Sequence, residues 1–400
     1  MRLFGDLMPF EDALKTIMEH VVPVARTEKA ALDDSFGRVL AEDVSALQDI
    51  PPFNRSGVDG FAVVASDTDQ ASPDDQVPLE LADTVYAGSA PANAVVPSRC
   101  VKIATGARVP PGADAVVMVE DTITESRRVS VLKPVRPGEN VDRIGSDISK
   151  GEMLINTGAL LHASRVGVLA SQGISSVTVY SRPKVAILPT GEEIVEPGRE
   201  LSGSQIYDIN SHTLSAMVRL NGCEPVLLPI AGDCLEDLEN KMEHALRADM
   251  VLTSGGSSVG EKDLIMDIME ARGRVFFHGV RIKPGKPTTF SEMAGRPVLG
   301  MPGNPTTCLI VAYLFMAPAL RKLARLPQQP SRVVNAVMAK KVTGSYSRTQ
   351  FLTVRIEDGK VHPVFKESSA ITSMSRAEGY VVVPENAEIN EGSPVEVVLF

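Results

Sequence analysis

The sequence predicts a multidomain protein of the α/β plus β class, and three textures along its 400 residues predict it. Between Pro183 and about Leu326, apolar runs of strand length alternate with amphipathic helical stretches, the pattern of a mostly parallel sheet with helices on both faces. Between Ile50 and about Asn140, proline and glycine punctuate short β-rich runs such as Phe61–Val64, Val101–Ala104 and Ala115–Val119. After Pro330 the chain alternates with period two, and Asp358-Gly359 between two such runs is a strong hairpin signal.

The N-terminal stretch Met8–Val22 reads as one amphipathic helix, with Phe10, Leu14, Ile17, Met18 and Val21 at helical spacing among Glu11, Asp12, Lys15 and Glu19. That pattern is not a signal peptide, and no apolar run is expected to approach the length of a membrane span. In the α/β region the expected strands are Val185–Leu188, Val226–Leu228, Met250–Leu252 and Val298–Leu299. One expected helix carries Leu235, Leu238, Met242 and Leu246 on a single face, and another carries Leu264, Ile265, Ile268 and Met269.

Composition narrows the function. The formal charge is −10 and aromatics are 4% with no Trp, so neither nucleic acid nor an anionic membrane is an expected partner. Cys100, Cys223, Cys234 and Cys308 are scattered without a C-x-x-C pair, which argues against zinc, iron–sulfur and disulfide chemistry and for buried thiols in a reducing cytoplasm.

In an open α/β sheet ligands bind beyond the carboxyl ends of the strands. The segments there are unusual: Pro189-Thr190-Gly191-Glu192-Glu193, Ala231-Gly232-Asp233, the run Ser254-Gly255-Gly256-Ser257 continuing to Asp263, and Pro302-Gly303-Asn304-Pro305-Thr306-Thr307. Two are strand–Gly-rich turn–helix elements, where small residues and free helix N–H groups suit a phosphate. Neither is a Walker loop or a G-x-G-x-x-G fingerprint. Each also has a plain structural reading. Ser258-x-x-Glu261 and Asp233-x-x-Glu236 fit capping boxes, Asp263 suits a first helical turn, and Thr306 suits an N-cap. What favours function is their shared edge, where Glu193, Asp208, Asp233 and Asp263 could meet. Several carboxylates beside a phosphate-ready loop suit Mg2+, which prefers oxygen ligands. The basic loop Arg281-Ile282-Lys283-Pro284-Gly285-Lys286-Pro287, stiffened by two prolines, suits an oxyanion.

Six segments then occur in order: Pro52–Val63 (Pro-Phe-Asn-Arg-Ser-Gly-Val-Asp-Gly-Phe-Ala-Val), Thr105-Gly106-Ala107, Pro189–Glu193, Ser254–Asp263, Lys283–Pro287 and Pro302–Pro305. Together they resemble the molybdopterin molybdotransferase family, which includes the C-terminal domain of gephyrin, over nearly the whole chain. The resemblance implies an N-terminal helix (1–27), a discontinuous linking domain (28–49 and 141–180), a β-rich inserted domain (50–140), a molybdopterin-binding α/β domain (181–328) and a C-terminal β-barrel-like domain (329–400). It implies a cytoplasmic homodimer that inserts molybdate into adenylylated molybdopterin and releases AMP, with Mg2+ as cofactor. Expected partners are the small pterin substrate and, beyond it, the molybdopterin adenylyltransferase and apo-molybdoenzymes.

By that resemblance Glu193, Asp233 and Asp263 bind metal and, with Lys283 and Lys286, support catalysis. Ser254, Gly255, Gly256 and Ser257 receive the pterin phosphate region, with Pro302 and Asn304 at the neighbouring turn. Asp59, Thr105, Arg143 and Asp147 match substrate-facing positions contributed across the dimer, and Ser373 and Arg376 match a C-terminal substrate-facing segment. Two departures stand out: Ser257 where the family commonly has Val, and Asp142 where many members carry Arg. The alternatives are a molybdopterin adenylyltransferase, whose Ser-Gly-Gly usually continues Thr-Gly, and a non-catalytic pterin carrier or scaffold.

Overall fold

The computed structural model describes residues 6–232, 234–255, 264–364 and 370–400. They divide into two compact units, one of Met1–Ala30, Ser35–Ala41 and Thr178–Phe400, the other of Ala31–Asp34 and Glu42–Val177.

In the first unit the described residues form a six-stranded sheet ordered Glu224–Leu227, Lys184–Pro189, Met250–Ser254, Arg296–Met301, Thr289–Met293 and Gly273–His278. The first four strands are parallel and the last two turn antiparallel. The inner strands read as continuous apolar runs because both faces are covered. Alternate side chains go to opposite cores. Val185 and Ile187 join one with Leu214, Met217 and Phe315, while Ala186 and Leu188 join another with Leu238, Met242 and Ile265. Helices Leu235–Ala245 and Leu264–Arg272 cover the second face, as expected. The first is covered by Asn210–Leu220, by the N-terminal helix Phe10–His20 and by the helical run Pro305–Leu323.

Asn210–Leu220 escaped the sequence reading because Asn210, Ser211 and Ser215 are buried on it beside Leu214, Met217 and Val218, which blurs the apolar stripe. Pro305–Leu323 is 19 residues long and apolar enough to cross a membrane, but 72% of its apolar window is buried against the sheet. It contains a wide π-type turn, Ala312–Met316, just before Ala317-Pro318. Proline has no N–H to return to the preceding turn, so the wider turn falls where the α-helical ladder must lose a bond.

The C-terminal strands Val333–Met338, Thr349–Glu357, Lys360–Pro363, Gly379–Val383 and Pro394–Leu399 close into a barrel over Leu352, Val354, Val361, Val381 and Val397. Asp358 (φ 50°) and Gly359 (φ 72°) make the expected two-residue hairpin turn, pairing Glu357 with Lys360. An aromatic seam fixes the barrel to the α/β core. Phe10 packs on Phe315 and Phe351 (centroids 5.3 and 5.0 Å), Phe351 on Tyr380 (5.5 Å), and Phe400 lies 4.3 Å from Tyr313 and 5.9 Å from Tyr380.

The second unit is built on a six-stranded sheet ordered Ala115–Met118, Gly60–Val63, Arg99–Ile103, Val77–Val85, Arg128–Val131 and Thr122–Glu125. Val44–Ser45 pairs with Met153–Ile155, so the chain entering this sheet is stitched to the chain leaving it. Helix Ala163–Ser171 follows.

Cys100, Cys223 and Cys308 are buried, and burial pushes the Cys100 and Cys223 thiols up to about 12. Cys234 departs from the expectation: it is exposed, at the N-cap of Leu235–Ala245.

Where the Met250–Ser254 strand begins, Asp249 takes both prongs of Arg26 (2.7 and 2.6 Å) and the Lys184 N–H (2.7 Å), with Arg296 3.9 Å away. Burial would raise this carboxyl, but the Arg26 bonds, the Lys184 N–H and the nearby guanidinium charges outweigh it and hold Asp249 below its ordinary value. A depressed folded-state pKa stabilises above the unfolded value and is lost as pH falls through the folded one. Arg26→Ala should therefore cost about 2 kcal/mol in urea unfolding at pH 7, less than a fully buried pair because Arg26 keeps part of its side chain in water. That deficit should shrink below about pH 4 as Asp249 protonates.

Candidate functional site

Three parallel strands end in register, with Pro189 opposite Ser254 and Ser254 opposite Met301. Their following turns touch. The Thr190 N–H donates to the Ser254 carbonyl (2.9 Å), and the Gly191 N–H reaches the Ala231 carbonyl (3.2 Å). Gly255 sits at φ +95°, and a Cβ there would lie 2.4 Å from the Thr190 carbonyl oxygen. A Cβ on Gly303 would meet the Gly255 Cα at 3.6 Å. The glycines thus let backbone pack on backbone where the sequence placed a phosphate-ready turn.

Ser254 is buried, and its Oγ accepts a hydrogen bond from Asn210 Nδ2 (2.9 Å). The same Nδ2 donates to the Gly303 carbonyl (2.7 Å). Asp208, expected among the cleft carboxylates, is buried and accepts the Ser211 N–H (2.9 Å), so it caps the start of the Asn210–Leu220 helix. Sequence reasoning missed Asn210. The available signal was an Asp two residues ahead of it, followed by Leu214, Met217 and Val218 at helical spacing.

The basic loop reaches the same edge. Thr289 pairs antiparallel with Gly300, so the residues just before Thr289 emerge where the parallel strands end. Thr288 Oγ1 donates to the Gly285 carbonyl (2.7 Å), and a Cβ on Gly285 would press on Ile282 and Val311. The loop is therefore held against the Pro305–Val311 helix. Lys283 and Lys286 are half-buried, while Arg281 is exposed and reaches the Leu7 carbonyl at 3.4 Å. Ile282–Lys283 also pairs in parallel with Thr349–Gln350, stitching the loop to the barrel.

Pro302 is buried and Asn304 exposed. Asn304, rather than Thr306, occupies the N-cap of Pro305–Val311. Thr306 lies inside the helix, and its hydroxyl donates to the Ala370 carbonyl (2.8 Å). That bond ties the segment leading to Ser373, which is buried, and Arg376, which is exposed, to the helix at this edge.

Glu193 is exposed after the Lys184–Pro189 strand. Its carboxylate lies across the space a Gly191 side chain would take, 2.7 Å from an ideal Cβ there. Asp233, Gly256, Ser257 and Asp263 lie outside the described residues, as does the Ser258–Glu261 capping box. Beside Asp233, the Gly232 N–H is taken by Asp237 (3.1 Å), which also holds Lys241 (2.6 Å). No group of three or more potential metal ligands is found among the described residues. The expected metal set therefore rests on Glu193 together with two carboxylates beyond them. All three are hard oxygen donors, the chemistry that suits Mg2+.

Asp59, Thr105, Arg143 and Asp147 belong to the second unit and are exposed there. Asp59 accepts the Thr105 N–H (2.7 Å) and hydroxyl (3.0 Å), and these bonds hold its carboxyl below the ordinary value. Asp142 pairs with Arg55 (3.0 Å), so the unexpected acid is neutralised within its own unit. A Cβ on Gly138 would lie 3.0 Å from the Arg143 guanidinium, which rests over that glycine.

Three substitutions test this geometry. Gly255→Ala should destabilise by about 2 kcal/mol or more in denaturant unfolding, since strained backbone and a backbone clash coincide. Gly303→Ala should cost less than about 1 kcal/mol, because its Cβ meets an ordinary contact. By NMR titration, Thr105→Val should move the Asp59 carboxyl upward, part of the way to about 3.9, because the hydroxyl bond is lost and the N–H bond remains.

Residues 8–173 match the pattern described as "MoeA N-terminal region (domain I and II)", residues 186–322 "Probable molybdopterin binding domain", and residues 335–400 "MoeA C-terminal region (domain IV)". A curated "Molybdopterin molybdenumtransferase" of Staphylococcus epidermidis is 30% identical, covering 97% of this chain and 94% of that protein. One of Bacillus subtilis is 32% identical, covering 98% and 94%. The solved structure of a molybdopterin biosynthesis MoeA protein from Pyrococcus horikosii superimposes with a TM-score of 0.84 at 37% identity, covering 98% of this chain and 99% of that one. With every one of its regions matched in order, the chain belongs to the molybdopterin molybdenumtransferase (MoeA) family of molybdenum cofactor biosynthesis.

Proposed function

We propose that this protein inserts molybdate into adenylylated molybdopterin and releases AMP. The observation that carries the reading is the convergence of the Ser254-Gly255 turn, the Pro302–Asn304 turn and the Lys283–Lys286 loop on one sheet edge, in a chain of this family. Backbone N–H groups of the Ser254–Ser257 turn and the turn holding Pro302 and Asn304 would take the pterin phosphate. Lys283 and Lys286 supply compact positive charge for the pyrophosphate or molybdate oxyanion, a local attraction set against the net charge of −10. No protein nucleophile is required: the dithiolene sulfurs of the substrate are the incoming ligands of molybdenum, displacing oxygen as water, and a water molecule attacks the pyrophosphate to release AMP and leave the phosphate on the pterin. The catalytic contribution is placement and charge stabilisation.

Glu193, Asp233 and Asp263 would hold Mg2+, which supplies Lewis-acid polarisation of the pyrophosphate when bound. In the proposed homodimer Asp59, Thr105, Arg143 and Asp147 of one subunit serve the substrate of the other, and Ser373 and Arg376 face the same substrate. The domain divisions expected from the sequence, a cytoplasmic location, and exchange with the adenylyltransferase and apo-molybdoenzymes belong to the same reading.

The test is single-turnover conversion of adenylylated molybdopterin, following AMP release and pterin-bound metal with and without molybdate and Mg2+. AMP release that requires both, with molybdenum retained on the pterin, is the expected result. Tight pterin binding without turnover would instead favour a carrier, and ATP-dependent adenylylation an adenylyltransferase. Asp263→Ala should slow AMP release by about 100-fold or more while leaving the thermal midpoint within a few degrees. A variant whose activity loss merely tracks unfolding would reassign Asp263 to the helix dipole.

A further inference from the structure

Asn210 is 6% exposed, and its Nδ2 donates to Ser254 Oγ at 2.9 Å and to the Gly303 carbonyl at 2.7 Å. An amide NH2 carries two protons, and each goes to a different turn. The two acceptors lie 44 and 93 residues away in sequence and close the ends of adjacent strands, Met250–Ser254 and Arg296–Met301. Those turns are already in contact, with Gly303 against Gly255. A residue serving only to fill this space would be apolar, as Leu214 is one turn along the same helix. Instead the site holds a carboxamide whose Oδ1 is enclosed with no hydrogen-bond partner among the described residues, as is the hydroxyl of the next residue, Ser211. Enclosed polar atoms without partners are uncommon, so a carboxamide kept at this place is kept for the two bonds its NH2 makes.

We infer that Asn210 is a positioning residue for the molybdopterin reaction: it sets the separation of the Ser254-Gly255 and Pro302-Gly303 turns so that both engage one phosphate-bearing pterin. This rests on the reaction proposed above. A hydroxyl at the same place could make one of the two bonds but not both, so the clamp requires a carboxamide. Asn210 acts through the turns and need not touch the substrate.

The experiment compares Asn210→Ala and Asn210→Ser with Asn221→Ala. Asn221 is an equally buried asparagine at the other end of the same helix, and its Nδ2 bonds only its own helix, at the Met217 carbonyl (2.8 Å). Steady-state kinetics should show KM for adenylylated molybdopterin raised by about 10-fold or more in Asn210→Ala, the effect of losing two hydrogen bonds that order the site, and by a smaller factor of at least about 3-fold in Asn210→Ser, which can keep one of them. The kcat should stay within about 3-fold and KM for molybdate should be unmoved. Asn221→Ala should lower the thermal midpoint without changing either KM. Adding Ser254→Ala to Asn210→Ala should raise KM by much less than the two separate effects multiplied, because the Asn210–Ser254 bond is already lost in either single variant. Unchanged pterin KM in the Asn210 variants, or the same rise in Asn221→Ala, overturns the inference. If the unsubstituted protein binds molybdopterin but does not turn over, the proposed reaction fails. The clamp is then judged by molybdopterin affinity from its fluorescence, with the same contrast between Asn210 and Asn221 variants.

Discussion

The in-register ending of three parallel strands, Pro189 beside Ser254 beside Met301, is the constraint on which the site depends. Parallel pairing aligns strand ends instead of alternating them, so every loop that leaves the sheet in that direction meets its neighbours. Because both faces are buried, a slip of one residue would exchange the two cores and expose neither to water. The register must therefore be fixed by the shapes of Val185, Ile187, Ala186 and Leu188 against their separate partners. Backbone contact between the turns then demands a residue without a side chain at Gly255.

Around that edge the protein sets rigid supports instead of flexible arms. The basic loop is tied to its own turn through Thr288, to the Pro305–Val311 helix through Gly285 and to the barrel through the Ile282–Lys283 pairing. The barrel in turn is held by the Phe10, Phe315, Phe351, Tyr380, Tyr313 and Phe400 seam, in a chain with just 18 Phe and Tyr residues. Aromatic pairs bury large area at little rotamer cost, so a few of them suffice to orient one domain on another. At the opposite edge the Arg26–Asp249 fork joins the start of a central strand to a segment 223 residues earlier.

Local chemistry was legible wherever function needs an unusual run of residues. The Gly-rich turns, the proline-stiffened basic loop and the Asp358-Gly359 hairpin each announce themselves within ten residues. The turns and the loop were placed correctly on one edge because the βαβ pattern alone orients strand ends. Two local readings went astray because the fold, and not the neighbouring sequence, decides them: Thr306 bonds Ala370 instead of capping, and Cys234 is exposed at a helix start instead of buried.

The sequence by itself determined the fold class, the family, the two β-rich regions flanking the α/β sheet in the chain, and the residue types that can hold a phosphate or an oxyanion, because these follow from periodicity and from short motifs. Only the tertiary structure decided which groups hold those motifs in place. Asn210 reads as an unremarkable polar residue until the fold brings Ser254 and Gly303, 44 and 93 residues away, to the two protons of one amide. Hydrogen-bond geometry is set by where backbones cross, and that is a property of the packed sheet and its helices rather than of any stretch of sequence.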